Sequence, residues 1–138
     1  MPGDARVEFN VIKKEDGQSL VEFALVIPIL LLLLVGIFDF GRVMISYLEL
    51  EMVSQETVRK AGLGAGDGDI TAYAHDTNHY SLVDADEVSV ASISPDEANR
   101  DSGDYVTVTL SYPVQVFQVL GDLSMSFSIE SSSTIRVE

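Results

Sequence analysis

The 138-residue chain contains no cysteine and no tryptophan. The first absence excludes disulfides, thiolate metal sites and cysteine nucleophiles, and leaves either side of a membrane open to the chain. The second, with aromatics at 8% of residues, removes any base-stacking surface or tryptophan anchor belt. Positive charge is also scarce. Eight Lys and Arg stand against 22 Asp and Glu, a net charge of −14, so the clustered cations that nucleic-acid binding needs are missing. From Gly64 onward, thirteen acidic residues face only Arg100 and Arg136, and such a tail is repelled by anionic lipid head groups. GLGAGDG lacks the lysine and the preceding strand of a phosphate-binding loop. Ser131 to Ser133 carry no G-x-S-x-G elbow, and no motif ties either histidine to a serine. No catalytic residue, cofactor or metal is expected.

What is present is a long apolar run. Phe23 to Phe38 is sixteen residues without a charged or polar side chain, and Glu22 stands just inside its N-terminal end. Counted from Leu20 the run makes roughly 28 Å of helix, close to the ~30 Å hydrocarbon core of a bilayer. A transmembrane helix is predicted over about residues 20–38. A cleaved secretory signal does not fit, because Phe38, Asp39 and Phe40 follow in place of a small-x-small site. Arg6, Lys13 and Lys14 precede the span, which predicts the N-terminus on the cytoplasmic side and the acidic tail outside.

The helical pattern continues past the membrane. Asp39 and Arg42 are spaced for an ion pair. On a 100° wheel Tyr47, Leu50, Val53, Val58 and Ala61 share one side with Ser54 and Thr57, while Glu49, Glu56, Arg59 and Lys60 take the other. Leu48 and Met52 lie off the stripe. Gly62 suits the position after the helix end, so one helix is predicted from about Ser19 to Ala61. Pro28 removes the hydrogen bond to the Ala24 carbonyl and is expected to kink it. Gly36 and Gly41 weaken it or permit close packing.

Beyond the glycine-rich stretch 62–69, a short helix is predicted from Ile70 to about His79, capped by Asp67 or Asp69. Period-two runs follow at Val88 (VSVASI), Tyr105 (YVTVTLSYPVQV) and Met125 (MSFSIESSSTIRV). Val106, Val108 and Leu110 face one way and Thr107, Thr109 and Ser111 the other, the pattern of an antiparallel sheet with one buried face. Pro113 is expected at an edge or bulge, and Gly121-Asp122 in the last hairpin loop. So small a sheet needs a cover, and the stripe from Tyr47 to Ala61 supplies one. The fold class predicted is α+β, a long N-terminal helix packed on a small antiparallel sheet. The organisation is 1–17 as a leader, 18–61 as the helix, 62–69 as a linker and 70–138 as an extracytoplasmic sheet domain.

His75, Asp76 and His79 form HDxxH, a spacing able to bind zinc, but no third ligand is evident. Asp67, Asp69, Asp84, Asp86 and Glu87 offer oxygens without the spacing of a calcium loop. Solvated helix and turn faces are the simpler reading of both. Glu22 is more informative, since a carboxylate near bilayer depth costs up to ~2.5–3.5 kcal/mol. Either it reaches water at the interface or it has a cationic partner. Cleavage after Gly17 would create an α-amino group on Gln18, at nearly the same depth. In staggered subunits the amine of one chain then meets the carboxylate of the next.

Lys13-Lys14-Glu15-Asp16-Gly17-Gln18-Ser19-Leu20-Val21-Glu22-Phe23 resembles a prepilin-type leader, in which a basic segment ends in Gly and Glu is the fifth mature residue. With EFALVIPILLLLLVGIFDFGR, the segment from Lys13 to about Ala61 is similar to the TadE-like pseudopilins of tight-adherence (Tad/Flp) pilus systems. VTVTLSYPV and STIRVE extend the likeness weakly. The resemblance implies a pilin-like fold in the bacterial cytoplasmic membrane, single-pass, and cleavage between Gly17 and Gln18 by a prepilin peptidase. It also implies subunit registration at Glu22 and Phe23, and assembly with other pilins and the Tad secretion platform into or beneath an adhesive pilus. Phe23 stands where the family usually has Tyr, and Gln18 where type IV pilins commonly begin with Phe. The alternative is a permanently anchored extracytoplasmic binding module, such as a calcium-dependent adhesin, whose leader is retained. An anchored hydrolase using His75 or His79 is a third reading.

Overall fold

The computed structural model describes the backbone of residues 12–138 and the side chains from Gly17 onward. Most of the leader predicted at 1–17 therefore lies outside the described residues. The chain divides into two compact units, the first ending at Val35 and the second running Gly36–Glu138. Helix α1, Ile12–Gly62, is continuous in secondary structure and has Pro28 inside it.

The second unit is a helix laid on a sheet. Its strands are β1 (Ser89–Ser94), β2 (Tyr105–Val116) and β3 (Met125–Arg136), all antiparallel in the order β1-β2-β3. The alternation read in the sequence sets the faces. Val106, Val108 and Leu110 are fully buried, each contributing roughly 1.5–3 kcal/mol by leaving water. On the opposite face, Thr107 pairs with Thr134 and Thr109 with Ser132, hydroxyl to hydroxyl at 2.8 Å, cross-strand contacts that support the ladder. Pro113 sits past the end of β1, whose last partner on β2 is Ser111, so its missing N–H meets a locally free edge. A bulge between Val90 and Ser92 bends β1.

The cover is α1. Leu50, Val53, Val58 and Ala61 are buried with the sheet residues in one core that also takes Ile70 and Ala74. Two polar residues on the same side, Ser54 and Thr57, are fully buried. The Ser54 hydroxyl donates to Ser133 Oγ at 3.1 Å, and it lies 3.4 Å from the Ser131 carbonyl. Thr57 bonds back to the Val53 carbonyl. Small side chains on both elements let the Ser54 and Ser133 hydroxyls meet across the helix–sheet interface.

The structure departs from the sequence reading at five places. Helix α1 begins at Ile12, ahead of the start expected at about Ser19. Tyr47 is 38% exposed while Glu49 is only 7% exposed, so the buried arc is rotated towards Glu49. Gly62 belongs to α1, and the left-handed residue ending the helix is Gly64, at φ 86°. Gly62 has a different use: a Cβ there would stand 2.8 Å from Ile135 Cγ2 and 3.3 Å from the Arg136 carbonyl oxygen. The short helix α2 runs Asp67–Ala74, and a separate 3-10 turn covers Thr77–His79. Asp76 makes that break, its carboxylate accepting the Asn78 backbone N–H at 3.0 Å. Finally, neither Asp67 nor Asp69 caps α2, whose N-cap is Gly66.

Candidate functional site

In the first unit, Gly17, Gln18, Glu22, Phe23 and Pro28 all lie on α1, which passes through the Gly17–Gln18 bond without a break. Gln18 and Glu22 are one turn apart, and Gln18 Nε2 donates to Glu22 Oε1 at 3.3 Å. Among the described residues, a Cβ built on Gly17 would meet nothing within 4 Å. Phe23 is 64% exposed. The large apolar side chains from Leu20 to Leu34 are exposed as well, and the helix is long and apolar enough to cross a membrane with none of its most apolar stretch buried. An all-round apolar surface of this kind is matched by hydrocarbon, not by water.

In the second unit, carboxylates of α1 hold loops by their backbone N–H groups. Asp39 Oδ2 accepts from Phe117 N at 2.6 Å. Its ion pair with Arg42 is long, at 3.9 Å, and Asp39 is the more buried partner. The bond fixes Phe117 at φ 58°, left-handed backbone that a residue with a Cβ adopts only under constraint. Glu49 does more. Its Oε1 accepts the N–H of Ser81 and its Oε2 those of Leu82 and Val83, all at 3.1 Å. Nothing in the sequence marks it except its place about 40° from Val53 on the helical wheel.

The acidic loops also serve the fold. Asp67 pairs with Arg100, whose side chain is 4% exposed and which also donates to the Ala65 carbonyl at 3.1 Å. Asp67 Oδ2 accepts from Glu97 N at 3.1 Å, and Glu97 Oε2 accepts from Asp67 N at 3.0 Å. This reciprocal pair ties the start of α2 to the 3-10 turn at Glu97–Asn99. Asp84 accepts the N–H of Asp86.

The HDxxH residues are separately engaged. His75 Nε2 lies 2.8 Å from the Val88 carbonyl oxygen. His79 rests against the Tyr73 ring with centroids 4.2 Å apart, and its Nε2 is 3.6 Å from Asp76 Oδ2, beyond hydrogen-bond range. Among the described residues no group of three His, Asp or Glu side chains is placed to hold a metal. The Asp76 carboxyl is held below its ordinary range, chiefly by the Asn78 backbone N–H. Burial, then the nearby Glu49 carboxylate, pushes the Tyr80 phenol up to about 12, and its hydroxyl donates to the Ala74 carbonyl at 2.8 Å. A cleft beside Arg42, Ser46, Tyr112 and Gln118 holds about 210 Å³, and two shallower, more open grooves lie beside Thr71 and His75 and beside Lys60 and Tyr73.

No curated protein and no solved structure matches the chain. Residues 17–59 match the model of the family described as TadE-like protein. The match starts at Gly17, runs the length of the exposed apolar stretch and ends in the part of α1 that packs on the sheet. Over that helix, residues 17–59, the chain is similar to the TadE-like proteins.

Proposed function

We propose that this chain is a non-enzymatic pseudopilin, or minor pilin, of a Tad-type pilus. The observation that carries the reading is the TadE-like match over residues 17–59, joined to a helix whose apolar half is exposed on all sides. In this reading the span holds the protein in the cytoplasmic membrane, with Lys13 and Lys14 inside and the sheet domain outside. A prepilin peptidase cuts between Gly17 and Gln18. Glu22 and Phe23 then register the processed helix against other pilins or platform proteins, the carboxylate meeting the new amine of a neighbour. The sheet domain supplies contacts outside the membrane and catalyses nothing.

Co-expression with an active prepilin peptidase tests the first step. The wild type should lose residues 1–17 and begin at Gln18 by N-terminal sequencing, whereas Gly17→Ala should keep its full mass. A wild-type chain that stays at full mass beside a peptidase shown to cut another prepilin overturns the reading.

A further inference from the structure

The hairpin joining β2 to β3 departs from the chemistry of the rest of its domain. Between Val114 and Ile129 the only charged residue is Asp122, although the chain from Gly64 onward carries thirteen acids. Its apolar side chains face outward: Val119 is 82% exposed, Leu123 68%, Met125 63% and Phe127 47%. Phe127 and Met125 lie on the same face of β3 as buried Ile129, so the apolar side of the strand runs on uncovered to the hairpin tip. Exposed apolar side chains gathered in one hairpin of an otherwise acidic domain mark a contact surface.

The place of the hairpin identifies the contact. Asp39 accepts the Phe117 N–H, and the Phe117 ring lies 4.0 Å from the position a Cβ would take on Gly36. The hairpin is thus fastened to α1 at Gly36–Asp39, where the apolar run ends at Phe38. Ile37, Phe38 and Phe40 are themselves 60–72% exposed. The fastening point therefore coincides with the residues at which the apolar run gives way to Asp39 and Arg42. We propose that the tip, Val119 to Leu123, dips into the outer interface of the membrane beside the emerging helix. This rests on the reading that α1 spans the membrane. Attraction to lipid here comes from apolar burial and not from charge, because the tip has no cation and the domain around it is acidic. Before assembly the domain is then held down at two points, the span and the hairpin. Its release accompanies extraction from the lipid.

The absence of tryptophan makes a single-Trp test clean. The full chain carrying Val119→Trp, or Leu123→Trp as a second surface position, is reconstituted into phosphatidylcholine–phosphatidylglycerol vesicles with brominated acyl chains. Leu31→Trp is the reference inside the span. Leu63→Trp, exposed at the other end of the domain, is the reference in water. Emission from position 119 or 123 should shift to the blue relative to Leu63→Trp. Bromine near the head of the acyl chain should quench it more than bromine near the tail, with the reverse order for Leu31→Trp. Emission at 119 and 123 that matches Leu63→Trp and is unquenched, while Leu31→Trp is quenched, overturns the hairpin contact and leaves the span standing. A blue shift without bromine quenching also overturns it, since protein then covers the tip. If Leu31→Trp itself is unquenched, the membrane reading falls with it.

Discussion

Replacing Glu49 tests whether α1 holds the sheet domain through a buried carboxylate. Three N–H groups point at one side chain that is 7% exposed. Hydrogen bonds to a charged group contribute about 1.5–3 kcal/mol each, and a buried donor left alone costs about 1–3 kcal/mol. In Glu49→Ala, water can reach Ser81 and Leu82, which are exposed, but Val83 is buried. The Val83 N–H then accounts for about 2 kcal/mol and the other two for about 0.5–1 kcal/mol each, so the expected loss is roughly 3 kcal/mol. Glu49→Gln keeps one acceptor oxygen and turns an amide donor towards the remaining N–H groups; about 2 kcal/mol is expected. For a unit of this size a loss of 3 kcal/mol lowers Tm by roughly 12–20 °C. Thermal melts of the full chain in detergent, followed by near-ultraviolet circular dichroism, read that change. Hydrogen exchange locates it, with protection lost first at residues 81–83. A Glu49→Ala melt within about 3 °C of wild type, with those amides still protected, would refute the reasoning, since the bonds would contribute under 1 kcal/mol.

The remaining predictions concern a titration and a pair of glycines. Tyr80 should titrate by ultraviolet absorbance near pH 12. In the unfolded chain its phenol ionises near 10, so its contribution to stability is complete below pH 10 and is lost between pH 10 and 12, and Tyr80→Phe should flatten that alkaline limb. Gly62→Ala should destabilise by about 1–2 kcal/mol, because overpacking against Ile135 and the Arg136 carbonyl exceeds the gain in helix propensity. Gly41→Ala, where a Cβ meets nothing within 4 Å, should be neutral or stabilising by up to about 1 kcal/mol. Equal shifts in Tm for the two glycines would contradict the packing described at Gly62.

The parts of the fold written locally were legible in the sequence. The three strands fall where period-two runs predict them because alternation depends on one pleated surface, and Val106, Val108 and Leu110 carry it without help. The arc of α1 was legible to within one position. A wheel ranks residues by polarity and assigns Glu49 outward, whereas its burial depends on three donors more than thirty residues away. The same holds for Asp67, read as a helix cap until Arg100 and the Glu97 N–H claim both its oxygens. Gly62 and Gly64 were exchangeable on helix-ending chemistry alone. Only the approach of Ile135 separates them. In each case the missing information is a partner distant in sequence.

Three acids of α1 then invite comparison. Asp39 and Glu49 are both largely out of water, and backbone N–H groups answer them, one for Asp39 and three for Glu49. Glu22 differs: its contact among the described residues is the Gln18 amide, a neutral donor one turn away at 3.3 Å. A fold-stabilising carboxylate should be sensitive to Gln substitution in the isolated protein. A carboxylate that serves assembly should not be. Glu22→Gln is therefore expected to leave Tm within about 2 °C of wild type, since the side chain is exposed and its bond to Gln18 is a surface contact. The same variant should fail to co-purify with processed pilins and platform proteins, because the neutral amide has no attraction for a neighbour's α-amino group in low dielectric. Restoring the charge with Glu22→Asp should recover part of that association. Normal pili and normal partnerships in cells carrying Glu22→Gln would remove registration from this residue, while leaving leader cleavage at Gly17 to be judged on its own.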